Sequence, residues 1–150
     1  MNYRTNAAIL DLVQQWLDQM NAAFASDDFD GFASGLHLPF VLITSEATMV
    51  QTTIDHLRQG FDGFRRLLAS LHATDYIRLV ETAEQITPGI IASTYETNIL
   101  RNGHRLVPPF RSSVTLGLSG NGWKAHCIAN GMTARSWPVE DLHVIASPDR

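Results

Sequence analysis

Apolar residues in the first half of the chain recur at helical spacing. From residue 5 to about residue 25 they form a single stripe, and polar residues occupy most of the other positions. A second stripe runs from residue 54 to residue 71, behind a capping-box-like start at Thr52. Between the two stripes, Asp27 or Asp28 suits the N-terminal cap of a shorter helix. The pattern therefore predicts three helices.

The rest of the chain favours β-structure. Pro39 precedes a run rich in β-branched and aromatic residues, 40–44, which predicts a strand. Asn-Gly dipeptides further along suit two-residue hairpin turns, because Asn and Gly tolerate the positive φ that both central positions need. Pro108-Pro109 cannot donate ladder hydrogen bonds, so we expect a strand containing it to be interrupted. Four long β segments are predicted at residues 75–87, 89–101, 103–118 and 122–133, with turns at Pro88-Gly89, Asn102-Gly103 and Asn121-Gly122.

Helices followed by an antiparallel meander predict the fold class α+β. We expect a curved antiparallel sheet wrapped around the long N-terminal helix and two further helices, a cone with an internal pocket. The 150 residues, 45% of them apolar, are enough for one domain with its own core. We therefore expect a single domain over residues 1–150, with a core at about 6–133 and a C-terminal tail at 134–150.

Charge and cysteine content narrow the function classes. The net charge of −4 provides no basic field for nucleic acid. Cys127 is the only cysteine, which excludes an intramolecular disulfide and suits a reducing compartment. No segment has the pattern of a signal peptide or of a membrane span. We expect a cytoplasmic protein that binds neither nucleic acid nor a membrane.

The sequence lacks most motifs that carry a defined chemistry. The glycine-rich stretch 117–122 leads into a strand, whereas a phosphate-binding loop leads into a helix. The six histidines include no pair at metal-ligand spacing, so we expect neither a metal nor a cofactor. His126 and Cys127 cannot form a nucleophile–base dyad in a regular strand, because adjacent side chains point to opposite faces.

Three short motifs occur in a characteristic order: Asp28-Phe29-Asp30 after the first helix, the Asn102-Gly103 turn, and Gly122-Trp123-Lys124 at the start of the last strand. With the order of the predicted elements, they resemble the nuclear-transport-factor-two-like superfamily, which includes SnoaL-like and ketosteroid-isomerase-like proteins. The resemblance covers about residues 6–133. It implies an α+β cone with a pocket between helices and sheet, commonly dimeric through the sheet, in proteins that range from isomerases and dehydratases to binding modules.

The resemblance does not carry an isomerase mechanism over to this chain. An approximate match places the phenol donor of the ketosteroid isomerases near Met20, their base near Thr44 and their second acid near Val114. None of these residues has the required group, and abstraction of a proton beside a carbonyl needs a carboxylate-class base and an oxyanion donor. The same match places Tyr95 at an inward aromatic position.

The candidate pocket follows from the parity of the strands. If Tyr95 points inward, period-two alternation also turns Phe110 and Ser112 inward on the next strand, and His126 and Asn130 inward on the last. The reverse parity of the last strand stays open, because its alternate positions are also small or apolar. The helices and the first hairpin would complete the mostly apolar pocket with Trp16, Met20, Phe40, Phe61 and Phe64.

Each candidate also has a structural interpretation. Aromatic residues on helical stripes are more often core than ligand contacts. The Tyr95 hydroxyl can reach a backbone partner, and Asn130 and Ser112 can bond to each other. His126 has an intrinsic pKa suited to acid–base chemistry, but a single histidine on a strand is more often structurally satisfied or exposed.

Two functional hypotheses remain. The leading one is a small-molecule-binding domain, in its catalytic form an isomerase, cyclase or dehydratase of unspecified substrate. His126 would then be the general acid–base, its ring toward the helices, with Tyr95 and Asn130 as orienting groups. The alternative is a non-catalytic protein-interaction or dimerisation module. The expected partners are a small apolar ligand and a second copy of the chain, bound through a sheet face that carries Ala92, Ala125, Cys127 and Ala129.

Overall fold

The computed structural model describes residues 6–120 and 122–132, which form three helices and seven strands. None of these helices has the length and apolar character that a membrane span requires. The helices are α1 (Ala7–Ala25), α2 (Phe29–Ser34) and α3 (Ile54–Ser70). The strands are β1 (Leu36–Ile43), β2 (Thr48–Gln51), β3 (Asp75–Thr87), β4 (Ile90–Arg101), β5 (His104–Arg105), β6 (Phe110–Ser119) and β7 (Gly122–Ala129).

The strands form one open, curved sheet in the order β2-β1-β7-β6-β4-β3, with β5 paired to β4. The α+β fold class and its sheet wrapped around helices are therefore confirmed. One pairing differs from the antiparallel expectation, because β1 runs parallel to β7 and the sheet is mixed. These two strands are far apart in sequence, so no hairpin dictates their relative direction.

The helix starts follow from local capping. The Asp28 side chain accepts a hydrogen bond from the Gly31 amide at 3.0 Å and caps α2, as predicted. The cap of α3 is Thr53, whose hydroxyl oxygen accepts from the His56 amide at 3.1 Å. The expected start at Thr52 is thus one residue too early.

The hairpins confirm the turn chemistry. Asn102 and Gly103 have φ values of 51° and 83°, the positive angles that a two-residue turn requires. Ser119 pairs with Gly122, so β6 and β7 also form a tight hairpin, although Asn121 itself lies outside the described residues. The segment with Pro108-Pro109 separates β5 from β6, as expected. The predicted tail, 134–150, also lies outside the described residues.

Helix α1 crosses the concave face of the sheet and supplies much of the core. Its buried stripe contacts inward side chains of β4 and β6, among them Ile91 and Leu116, which are fully buried. Full burial of one such aliphatic side chain stabilises the fold by about 1.5–3 kcal/mol. A smaller cluster forms beside it around the C-terminal part of α3. The buried residues of the α1 stripe are Val13, Trp16, Leu17, Met20 and Ala23.

A side-chain amide fixes α1 to the edge of the sheet. Gln14 Nε2 donates to the carbonyl oxygen of Arg78 at 2.8 Å, and Gln14 Oε1 accepts from the Val80 amide at 2.9 Å. Strand β3 is an edge strand, so some of its main-chain groups have no strand partner. Gln14 satisfies one donor and one acceptor of β3 and sets the position of the helix along that strand.

We expect Gln14→Ala to lower the free energy of unfolding by about 1–3 kcal/mol, since its two hydrogen bonds to β3, of ~0.5–1.5 kcal/mol each, are lost. The exposed bond from Gln14 Nε2 to Asp18 Oδ1 on the same helix is lost as well and adds about 0.2–0.5 kcal/mol. Urea denaturation followed by circular dichroism measures this difference. Gln15→Ala is the matched control, because Gln15 is the exposed neighbour on the same helix. Equal losses in the two variants would contradict the docking role of Gln14.

Candidate functional site

A cavity of ≈ 110 Å³ lies between the helices and the inner face of the sheet. An engineered apolar cavity of about 150 Å³ binds benzene, so this volume is of the order of one small ring. The wall is mostly apolar. Seven of the nine predicted ligand-binding residues line it: Trp16, Met20, Phe40, Phe64, Tyr95, Ser112 and Asn130.

Two predicted residues do not line this cavity. Phe61 is fully buried in an aromatic cluster, with its ring centroid 5.2 Å from that of Phe24 and 5.0 Å from that of Phe32. Phe110 packs against the smaller core cluster that contains Leu67 and Ile99. Phe61 is therefore a core residue, and half-buried Phe110 belongs to the smaller cluster.

The cavity contains a buried arginine that the sequence pattern did not single out. Arg78 is 5% exposed, and its Nε donates to Asn21 Oδ1 at 2.7 Å. The guanidinium carbon lies 5.1 Å from the ring centroid of Tyr76 and 5.5 Å from that of Tyr95, within cation–π range. Arg78 Nη2 is buried and has no hydrogen-bond partner among the residues that the structure describes.

Alternation on β3 explains why Arg78 was missed. Ile77 and Leu79 are more apolar than Arg78, so the hydropathy of the strand favours turning them inward. The structure does the reverse. Arg78 pairs with the buried Thr97 on β4, while Ile77 and Leu79 are exposed on the outer face.

Two tyrosines flank this arginine. Burial raises the pKa of Tyr76 to about 12, although the nearby positive charge of Arg78 opposes the rise. Tyr76 is therefore a neutral phenol at physiological pH. Tyr95 is 2% exposed, which agrees with its predicted inward orientation.

Ser112 and Asn130 bond to the backbone of the segment that follows β7, and not to each other. Ser112 Oγ accepts from the Gly131 amide at 3.1 Å, and Asn130 Oδ1 accepts from the Met132 amide at 2.8 Å. Both side chains border the cavity, so each contributes polar surface while holding this turn in place.

The predicted orientation of His126 is wrong. The pairing of Thr115 with Cys127 and of Leu116 with Ala125 leaves His126 as an extra residue on β7, a β-bulge. The ring lies over Gly117, where an added Cβ would collide with it. His126 is therefore on the outer face of the sheet, away from Tyr95 and Asn130, and cannot act on a molecule in the cavity.

The bulge also changes the faces of its neighbours. Ala125 is fully buried in the core, so it does not belong to the outer face on which it was expected. The His126 ring stacks on that of His37 at 4.0 Å between centroids. Burial, and then the charge of His37, lower the pKa of His126. Burial also raises the pKa of the Cys127 thiol, and no hydrogen bond joins these two described residues, His126 and Cys127.

The chemistry of the lining restricts what the cavity can do. Within the described part of the chain, its titratable side chains are Tyr76, Arg78 and Tyr95, and no carboxylate or imidazole borders it. Thr44 lines the cavity at the position matched to the isomerase base. Nor do three His, Cys, Asp or Glu side chains come together in residues 6–120 and 122–132 as a metal site would need. The arrangement suits binding better than proton transfer.

Known structures share this architecture. An NTF2-like protein of unknown function from Shewanella oneidensis has a TM-score of 0.59 and 10% identity, with 79% of this chain and 95% of that chain covered. A protein of unknown function from Mycobacterium tuberculosis has a TM-score of 0.64 and 10% identity, with 89% and 86% covered. A candidate aromatic ring hydroxylase from Novosphingobium aromaticivorans has a TM-score of 0.58 and 11% identity, with 85% and 92% covered.

Sequence comparison adds nothing to this likeness. No protein-family model matches the chain, and neither does any curated protein sequence. At these identities, the structural likeness bears on the fold alone.

The lowered pKa of His126 predicts that the free energy of unfolding depends on pH. The unfolded chain protonates histidine near pH 6.5, whereas folded His126 stays neutral until a lower pH, so unfolding takes up protons in that window. The stabilisation is complete above about pH 6.5 and is lost as the pH falls toward the lower folded pKa. When the pH is lowered from 7.5 to 5.5, we expect the free energy of unfolding of His126→Gln to fall less than that of the parent, as measured by urea denaturation. His104→Gln, at an exposed hairpin position, should keep the parental slope.

Proposed function

Because the protein has the nuclear-transport-factor-two-like fold, we propose that it is a small-molecule-binding domain whose ligand occupies the cavity between α1 and the sheet. The observation that carries the proposal is a space of ≈ 110 Å³ bordered by aromatic and aliphatic side chains and a few polar groups. Concave, mostly apolar sites with few converging polar groups are the usual setting for small-molecule recognition.

The side chains that line the cavity favour binding over acid–base turnover. An isomerase, cyclase or dehydratase needs a group that exchanges a proton near neutral pH. Tyr76, with a pKa of about 12, and Arg78 hold their protons at that pH. His126, the one residue that was assigned this role, lies on the opposite face of the sheet. Polarisation of a bound carbonyl by Arg78 is the catalytic assistance that this lining offers.

We further propose that two copies associate through the outer face of the sheet in a reducing, cytoplasmic setting. Leu79, on β3, is 50% exposed on that face, and Ile77 beside it is also exposed. Half-buried Ala92 and Cys127 extend the face toward its centre. Exposed apolar patches of this kind mark association surfaces. Ala125 no longer supports the proposal, since it faces the core.

The ligand-binding proposal is tested with benzoate and benzamide, a one-ring pair of nearly equal shape. We expect at least one of them to shift ¹H–¹⁵N NMR signals of cavity residues such as Thr97, Ser112 and Asn130, and to leave signals on the outer face unchanged. Thr97→Met places a larger side chain at a buried cavity position. It should weaken binding about tenfold or more, since losing ~1.4 kcal/mol of apolar contact has that effect.

Thr115→Met is the matched control, because Thr115 is a half-buried threonine on a neighbouring strand and does not line the cavity. This variant should bind both probes as the parent does. If neither probe shifts a cavity signal in the parent, or if Thr97→Met binds as well as the parent, the cavity is not a ligand site.

For the dimer, we expect sedimentation velocity at micromolar concentration to show a species of twice the chain mass. Leu79→Glu should raise the dissociation constant of the dimer about tenfold or more, because the new carboxylate would be desolvated in the interface. Leu118→Glu is the control. Leu118 is 54% exposed, but its neighbours Gly117 and Ser119 are the outward residues at that end of β6, so Leu118 does not belong to the outer face. A monomeric parent would refute the association.

A further inference from the structure

We propose that Arg78 makes the cavity selective for small apolar molecules that carry a carboxylate. The inference rests on the proposed ligand-binding function and specifies its ligand class. An aromatic or aliphatic body would occupy the apolar part of the cavity, and the carboxylate would lie against the guanidinium.

Within residues 6–120 and 122–132, no carboxylate forms an ion pair with Arg78. Among the described residues the ion pairs are Arg65 with Asp27 and Arg111 with Glu81, both at the surface. A guanidinium is always charged at physiological pH, so its burial without a carboxylate is costly. Arg78 is nonetheless 5% exposed and borders the cavity. A buried cation beside an open cavity is what an anionic ligand requires.

The contacts that Arg78 does make position it without neutralising it. Asn21 Oδ1 accepts from Nε and holds one side of the guanidinium, as an uncharged partner. The rings of Tyr76 and Tyr95 lie within cation–π distance and favour the positive charge. Nη2 is buried, and no described residue accepts a hydrogen bond from it. The side chain is thus held in one geometry, with hydrogen-bonding capacity to spare.

A carboxylate is the ligand group that matches this capacity. The planar guanidinium donates charge-assisted hydrogen bonds to carboxylate oxygens, about twice as strong as those between neutral groups. The neutral Tyr76 phenol beside it does not repel an anion. A neutral ligand would leave the positive charge uncompensated and would gain only the apolar contacts. The cavity should therefore distinguish an acid from its amide, although the two have nearly the same shape.

The test measures the ratio of the benzamide and benzoate dissociation constants by NMR titration at pH 7. We expect the parent to bind benzoate at least about tenfold more tightly, because a hydrogen bond to a charged group supplies that much discrimination. Arg78→Met replaces the charged side chain with an apolar one of similar length. It should reduce the ratio to about one and retain the binding of benzamide. Arg66→Gln, which removes an exposed arginine on α3, should leave the parental ratio unchanged.

Stability provides a second measurement. In the absence of ligand, Arg78→Met should unfold at the same or a higher urea concentration than the parent, because removal of a buried uncompensated charge offsets the lost bond to Asn21. Benzoate should raise the melting temperature of the parent but not that of the variant. A variant that is strongly destabilised and keeps the parental preference for benzoate would make Arg78 a structural residue and overturn the inference.

The outcomes separate the two proposals. If benzamide binds in the cavity as tightly as benzoate, the ligand-binding function stands and the carboxylate selectivity is wrong. If neither probe binds, the ligand-binding function is wrong, and the carboxylate selectivity that rests on it is wrong as well. If benzoate shifts signals only on the outer face of the sheet, its binding is unrelated to Arg78 and the inference fails.

Discussion

The architecture depends on how α1 is docked across the concave face of the sheet. The apolar stripe of the helix supplies the driving force, but burial alone does not determine the position of the helix along a strand. Gln14 determines this position, because its side-chain amide forms hydrogen bonds with main-chain groups of Arg78 and Val80 on the edge strand. The docking holds β3 in the register that turns Arg78 inward, toward Thr97, so that a cation borders the cavity.

A β-bulge on β7 determines which residues of that strand face the core. One extra residue, His126, lets both Ala125 and Ile128 contact the core, although strict alternation would not allow this for residues three apart. The same bulge turns His126 outward onto His37. The candidate acid–base residue therefore does not border the cavity, where the titratable side chains of the described residues are one guanidinium and two phenols.

Polar groups at the cavity serve the fold and the site together. Ser112 and Asn130 hold the turn after β7 through hydrogen bonds to its backbone amides, and both border the cavity. Arg78 is the exception, because its buried Nη2 has no hydrogen-bond partner in the described part of the chain. Buried donors are normally satisfied in folded proteins, so an unsatisfied one on a side chain that lines a cavity has a functional interpretation.

The sequence by itself determined the helices, the hairpins and the fold class, because these depend on local signals: Asp28 as a cap, Asn102-Gly103 as a turn, and Pro108-Pro109 as an interruption. It also identified seven residues that line the cavity, since the α1 stripe and the alternation of the strands follow simple periodicities once the resemblance places Tyr95 inward. The tertiary structure alone decided the faces of Arg78 and His126. A strand has two faces of similar propensity, and the choice between them depends on long-range pairing, on a bulge of one residue and on a helix docked from elsewhere in the chain.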